Sequence, residues 1–337
     1  MRSFLILTAL GVGFLLLAVD LLFIGGMERL VEASLSPQRP EQRNALLIGA
    51  NPWPGYEPLF LARDQGHFKP DQVSLVEYPS ATLVIKALRN GAINGAALTL
   101  DEVMQLRETA VPIQLVALLD YSNGGDAILA RPQYPDLSSL KGRNIGFENS
   151  ALGGFFFSRA LDLMGLKQED FRMVPMQVDE HAQAYSEAKV DAVVTFDPHR
   201  THLIQLGAKE IFNSSQIPGE IVDVLAVRQS FIKEHPEQVQ ALVDGWFEGL
   251  RYLREQREPA MAAIAQRLSL SKPATEAAYR GIEFPSRSES LSAFSGQPSE
   301  FESRAQRLFD YMRHHNLLSR PVDLSGLVET RFIKNAP

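Results

Sequence analysis

Three kinds of residue in this chain could grip a small molecule: aromatic rings set between prolines, carboxylates, and glycines where a strand turns into a helix. Asn51-Pro52-Trp53-Pro54-Gly55-Tyr56 offers an indole to stack on a flat or apolar face and a phenol to add a hydroxyl. Thr99-Leu100-Asp101-Glu102 supplies a hydroxyl and a carboxylate, which could equally be a helix cap and first-turn acid. Asp120-Tyr121-Ser122-Asn123-Gly124-Gly125-Asp126 is denser in polar residues and glycine than a simple turn requires. Glu148, Asn149 and Ser150 precede Gly153 and Gly154, which would leave backbone N–H groups bare at a helix N-terminus, where the macrodipole favours a ligand oxygen. The alternative is an ordinary turn whose glycines serve packing. Thr195-Phe196-Asp197-Pro198 is either a further wall of a site or a tight turn.

These stretches come after short apolar runs, which identifies the elements that must hold them. Strand-like segments are expected at 46–50, 73–78, 96–99, 114–119, 127–131, 144–147, 172–176, 192–195, 210–212 and 221–227, with helical spacing in most gaps, the pattern of a parallel α/β sheet. Ligands of such sheets bind beyond the carboxyl ends of the strands, where the five stretches lie. Phe157, Leu161 and Met164 recur at helical spacing until Gly165 stops the helix. Beyond Pro236, the stripe from Val239 to Leu253, including Trp246 and Phe247, predicts a helix whose apolar face is core, and helical runs continue to about His315.

Composition narrows the function. A chain of 337 residues suggests about two domains. A net charge of −7 without a basic run excludes nucleic acid as a partner. With no cysteine there is no disulfide, thiolate nucleophile, Cys-ligated zinc or lipidated cysteine. Residues 4–27 are almost unbroken apolar sequence, long enough to span a bilayer and longer than a usual signal-peptide core. This favours a retained anchor at residues 1–27, with cleavage after Ala33 as the alternative, and the polar, proline-bearing residues 28–44 as a linker. Everything after it is then expected outside the cytoplasm. His199 and His202 have i, i+3 spacing beside Asp197 but lie in a polar run, so no metal is expected there, and His314-His315 are expected to cap their helix's last carbonyls. No G-x-S-x-G or phosphate-loop motif is present, and no cofactor is expected.

The order W-P-G-Y, T-L-D-E, D-Y-S-N-G-G-D-A, L-K-G-R-N-I-G-F-E with a following G-G-F, and V-D-A-V-V-T-F-D-P resembles the periplasmic solute-binding proteins of ABC importers for nitrate, sulfonates and taurine, a superfamily that includes thiamine-pyrimidine binders. The resemblance covers about residues 45–227 closely and the helical tail loosely. It implies a type II periplasmic-binding fold, two α/β lobes joined by two crossovers and closing on a ligand, with a helical C-terminal region. Lobe 1 would comprise residues 45–127 plus 227–337 and lobe 2 residues 128–226. Carried over by position, the ligand-binding residues would be Trp53, Tyr56, Thr99, Asp101, Ser122, Asp126, Ser150, Gly153, Gly154, Thr195, Asp197 and Asp223. One departure is Glu187-Ala188-Lys189, where the family usually has glycine before the lysine.

The resemblance further implies an extracytoplasmic, monomeric solute-binding component of an ABC importer, with permease subunits as its membrane partner. Its ligand would be a small polar organic molecule: an amino-bearing heterocycle, a zwitterion or a sulfonate. The cleft candidates Asp101, Asp126, Glu148, Asp197 and Asp223 come with no Lys or Arg, which favours a ligand with a donor or cationic group over nitrate. The alternative is an anchored ligand sensor signalling to a membrane partner. An enzyme reading, borrowed from fungal pyrimidine synthases of this fold, would need an iron-associated cysteine cluster that the sequence lacks.

Overall fold

The computed structural model describes residues 45–334. The apolar run at 4–27, the linker at 28–44 and the cleavage point after Ala33 lie outside the described residues, so neither the anchor nor its removal is addressed by the structure.

Ten of the eleven strands among the described residues fall on the apolar runs of the sequence. β1 (Leu46–Ala50), β2 (Val73–Glu77), β3 (Gly95–Thr99) and β4 (Ile113–Ser122) precede β5 (Asp126–Ala130), β6 (Asn144–Glu148), β7 (Arg172–Met176), β8 (Ala192–Phe196) and β9 (Lys209–Asn213). β10 (Val222–Arg228) comes next, and β11 (Ile282–Glu283) is a short addition that the sequence does not announce. They form two sheets, one ordered β11-β4-β10-β3-β1-β2 and the other β7-β6-β8-β5-β9. Continuous apolar runs such as Ala-Ala-Leu in β3 and Ala-Val-Val in β8 are buried throughout, as strands covered on both faces by helices must be.

Neither sheet is purely parallel. β1 pairs in parallel with β2 and β3, and β6 with β7 and β8, but β10 runs antiparallel to both of its neighbours and β5 antiparallel to β8 and β9. These reversals come where the chain changes sheet. It leaves the first sheet at the end of β4, enters the second at Asp126, and returns between Asn213 and Val222. A second lobe drawn through residue 226 therefore extends too far. Val222–Arg228 is the strand between β3 and β4 in the first sheet, where its apolar residues are buried.

The helix Pro236–Glu255 begins with proline at its first turn and buries Val239, Leu242, Val243, Trp246, Leu250 and Leu253. It lies against the helix Glu57–Asp64 so closely that a Cβ on Gly249 would come within 1.9 Å of the Pro58 carbonyl oxygen. Phe247 sits at the edge of this core under the Arg287 guanidinium, 4.5 Å away.

The helix Glu300–His314 bridges the two sheets' domains. Ser299 and Glu302 form its capping box, and at its far end the Tyr311 hydroxyl donates to Asp162 Oδ2 at 2.8 Å on the second-lobe helix Ala151–Met164. Phe155 of that helix meets Tyr311 edge-to-face at 5.5 Å. His315 does not cap carbonyls as expected. Its Nε2 lies 3.3 Å from Asp162 Oδ2, a carboxylate being a stronger partner than a peptide oxygen.

Candidate functional site

The strand register assembles the site. β10 lies between β3 and β4, so Asp223 stands opposite Thr99 on one side and Asp120 on the other. In the second sheet, β5 against β8 places Asp126 opposite Phe196 and Ala127 opposite Thr195. Just after β1, Trp53 N–H bonds to the Asn51 carbonyl at 2.8 Å and Tyr56 N–H to that of Trp53 at 3.0 Å, so the proline-rich segment is a fixed turn. The Trp53 indole N–H points between the Asp120 carboxylate oxygens, 3.4 Å from each, and the Tyr56 hydroxyl donates to Asp223 Oδ1. The Trp53 ring meets the Phe196 ring of the other lobe edge-to-face at 5.6 Å.

Where the chain crosses between lobes, two serines lace the crossings together. The Ser122 and Ser214 hydroxyls are 2.7 Å apart, Gly124 N–H bonds to Ser214 Oγ at 2.7 Å, and Asp126 N–H bonds to Ser122 Oγ at 3.1 Å. Gly124 has φ +111°, a conformation that needs glycine. A second inter-lobe seam runs along the start of the helix Ala81–Arg89. Glu148 Oε1, at the end of β6, accepts from Thr82 N–H at 2.7 Å and Thr82 Oγ1 at 2.9 Å, and Ser80 Oγ donates to Gln177 of the second lobe.

Between the lobes these contacts enclose a cavity of about 30 Å³, lined from both sides. The first lobe contributes Asn51, Trp53, Tyr56, Ala81, Thr99, Glu102 and Asp223; the second contributes Asp126, Glu148, Ser150, Leu152, Gly153, Val194, Thr195 and Phe196. The structure thus brings together Trp53, Tyr56, Thr99, Asp126, Ser150, Gly153, Thr195 and Asp223 of the residues picked from the sequence. Gly153 sits in the first turn of its helix because a Cβ there would be 2.5 Å from the Glu148 carbonyl oxygen.

Four others do not reach the cavity wall. Asp101 is buried in the first turn of the helix Leu100–Glu108 behind it. Ser122 laces the crossover. Gly154 faces Leu317, which a Cβ would approach to 3.2 Å, since it lies one residue around the helix from Gly153. Asp197 turns away to cap the next helix, its Oδ1 accepting from Thr201 N–H at 3.0 Å and Thr201 Oγ1 at 2.6 Å, while Thr195 and Phe196 just before it do line the wall. Asn51, Ala81, Glu102, Leu152, Val194 and Phe196 line the cavity without having been expected among the ligand contacts. Glu102 was visible only as the acid of a capping box, and its Oε2 does accept Thr99 N–H, at 3.1 Å.

Electrostatically the site is one-sided. Among the described residues no Lys, Arg or His lines the cavity. Burial raises the carboxyl of Asp126 from its ordinary 3.8 to about 6, against a hydrogen bond from Ser122 and the Arg200 charge. Burial likewise pushes up Glu102, with Asp101 and Glu148 adding repulsion, and Asp223, with Asp120 adding repulsion. Asp101 and Asp120 shift upward for the same first reason, and Glu148 rises despite the Thr82 bonds. Three polar atoms here have no hydrogen-bond partner: Thr99 Oγ1, Glu102 Oε1 and Thr195 Oγ1. Among the described residues no cluster of three His, Asp or Glu could hold a metal; His199 is half-buried beside Phe196, ring centroids 6.2 Å apart, and desolvation, with the neighbouring His202 adding repulsion, holds its pKa down near 4.

Comparison with known proteins places this geometry in context. A family described as the NMT1-like family matches residues 39–269. The putative aliphatic sulfonates-binding protein of Bacillus subtilis (strain 168) is 22% identical over 293 residues, 83% of this chain and 84% of that protein. The taurine-binding periplasmic protein of Escherichia coli (strain K12) is 21% identical over 191 residues, 55% of this chain and 59% of that protein. Among solved structures, the alkanesulfonate-binding protein SsuA from Xanthomonas axonopodis pv. citri superposes with a TM-score of 0.72 at 17% identity, covering 86% of this chain and 99% of that one. That likeness is one of fold: two α/β lobes with two crossings, as the motif order implies.

Proposed function

The chain belongs to the NMT1-like family, and on that premise we propose that it is the extracytoplasmic solute-binding component of an ABC importer, capturing a small polar organic molecule between its lobes. One observation carries this reading: a buried cavity whose wall is shared by both sheets and sealed by hydrogen bonds across the lobes, Thr82 to Glu148 and Ser80 to Gln177. Closure of that kind excludes water and strengthens each polar contact, and the closed shape is what membrane subunits would recognise. The names borne by its relatives, sulfonate-binding and taurine-binding, agree with a carrier and with a location beyond the cytoplasmic membrane. They also favour binding over catalysis. The apolar run at residues 4–27 would tether the protein to that membrane. Eight of the residues chosen from sequence (Trp53, Tyr56, Thr99, Asp126, Ser150, Gly153, Thr195 and Asp223) would contact the ligand, joined by Glu102, Glu148 and Phe196.

The test is native mass spectrometry of freshly purified full chain, followed by release of any bound molecule and uptake measurements with it in cells with and without the gene. A single released small molecule, returned unaltered and taken up only by cells carrying the gene, is expected. Chemical conversion of that molecule by the protein, or uptake indifferent to the gene, would refute the importer role.

A further inference from the structure

The cavity's chemistry is the reverse of what an anion requires. Glu102 reaches it from the first turn of a helix and Asp126 and Asp223 from two strands, each at most 3% exposed, and no basic side chain lines the cavity with them. The guanidinium that acts on Asp126 is that of Arg200, and it is already engaged with Glu210 and with the Gly124 carbonyl. Carboxylates alone would prove little, because buried acids can simply be held protonated. A second, independent observation points outward from the protein. Glu102 Oε1, Thr99 Oγ1 and Thr195 Oγ1 are buried on residues of the cavity wall and make no close hydrogen bond, the first two having only the Ser150 and Asp101 side chains at hand, and buried polar atoms left unmade cost free energy. The Glu102 oxygen calls for a ligand that brings a hydrogen-bond donor, and the two threonine hydroxyls can accept from the same ligand. A third feature is the aromatic frame: Trp53 and Phe196 meet edge-to-face across the lobes beside Tyr56, giving ring faces that attract positive charge.

We propose that this cleft takes a compact organic cation bearing N–H donors, a protonated primary amine or amidine, gripped by Glu102, Asp126 and Asp223 beside the paired rings of Trp53 and Phe196. The proposal rests on the solute-binding reading above and narrows it. The N–H groups would complete Glu102 Oε1 and the two threonine hydroxyls, while the charge offsets the mutual repulsion of the acids. A sulfonate or nitrate would meet carboxylates instead of counter-charges and could be held only by neutral donors: backbone N–H groups, wall hydroxyls and carboxyls in their protonated form. A fully methylated ammonium would suit the rings but leave the three acceptors unmade.

Isothermal titration of the full chain in mild detergent, at pH 8 and constant ionic strength, tests this with ethylammonium, methylguanidinium and 4-aminopyridinium against tetramethylammonium, ethanesulfonate and nitrate. Saturable binding of at least one N–H cation, and of neither anion, is expected. Glu102→Gln, which keeps an oxygen to accept Thr99 N–H, and Asp126→Asn should each weaken that cation on the order of 30-fold or more. Glu255→Gln, on an exposed helix end, should not. Should Asp126→Asn fail to melt cooperatively, Glu102→Gln decides. Binding of ethanesulfonate or nitrate without the cations overturns the cation assignment and leaves the solute-binding reading standing. Tetramethylammonium binding as well as the N–H cations, or silence from every cation in a cooperatively folded protein, overturns it too.

Discussion

Replacing Asp126 by asparagine should change how stability depends on pH, in a direction fixed by the carboxyl's surroundings. Asp126 is fully buried and its carboxyl titrates near 6 instead of the ordinary 3.8. A carboxyl raised in the native state costs nothing below its unfolded pKa, and the cost grows with rising pH until the native pKa is passed. Linkage puts the native state's disadvantage at roughly 1.6 kcal/mol at pH 5 and roughly 3 kcal/mol at pH 8 for a shift from 3.8 to about 6. The wild-type profile alone will not show this cleanly, because burial lowers His181 to about 3 and His199 to about 4. A histidine depressed in the native state gains stability as pH rises toward 6.5, the opposite sign in the same window. Subtracting wild type from Asp126→Asn cancels both histidines. The variant should therefore gain about 1.4 kcal/mol on wild type between pH 5 and pH 8. Relief of Asp101, Asp120 and Asp223, whose carboxyls Asp126 pushes up, adds in the same direction. Urea unfolding of the ligand-free protein, followed by tryptophan fluorescence at four pH values, measures the difference. A difference that is flat, or that falls as pH rises, refutes the picture of a charge-strained cleft.

Thr82→Ala removes one hydrogen bond that exists only while the lobes are together, so ligand affinity should drop about fivefold, near 1 kcal/mol, in titration calorimetry. Unchanged affinity would show that this seam does not hold the cleft shut. Arg267→Ala strips the partner from Glu57, which is 1% exposed, and lifts a guanidinium off the Phe60 ring 3.7 Å away. The loss should be about 3 kcal/mol at pH 8 and smaller at pH 5, where Glu57, titrating near 7, takes up a proton; equal losses at the two pH values would contradict it. Ala188 has φ +58°, where a Cβ is strained, so Ala188→Gly should stabilise by about 0.5 kcal/mol once glycine's freer unfolded chain is counted. Calorimetric melting checks this, and a lower melting temperature would sink it.

The strands were legible because each is a short apolar run ended by polar residues or glycine, and Gly165, at φ +64°, stops its helix as its position suggested. Strand direction was not. Val-Asp-Val-Leu-Ala-Val-Arg in β10 reads the same whether it runs with or against its neighbours, yet its antiparallel course sets Asp223 between Thr99 and Asp120 and decides the site's charge. For the same reason Asp120, which holds the Trp53 indole, looked like part of a loop, and Ser122 looked like a ligand contact when its partner is Ser214. Gly153 and Gly154 are adjacent in sequence and differ by about 100° around the helix, so only one can face the cavity. Ala188 was visible as a departure from the family's glycine, while its left-handed backbone was not.

The rear tie formed by Tyr311 and His315 on Asp162 touches none of the cavity's lining residues. If the lobes open by hinging, letting a captured molecule go would therefore be a different task from capturing it, because the end of the helix Glu300–His314 would have to give up a phenol and an imidazole as well as the front seam. A partner that levered that helix end away from Asp162 would loosen the grip without ever reaching the chamber.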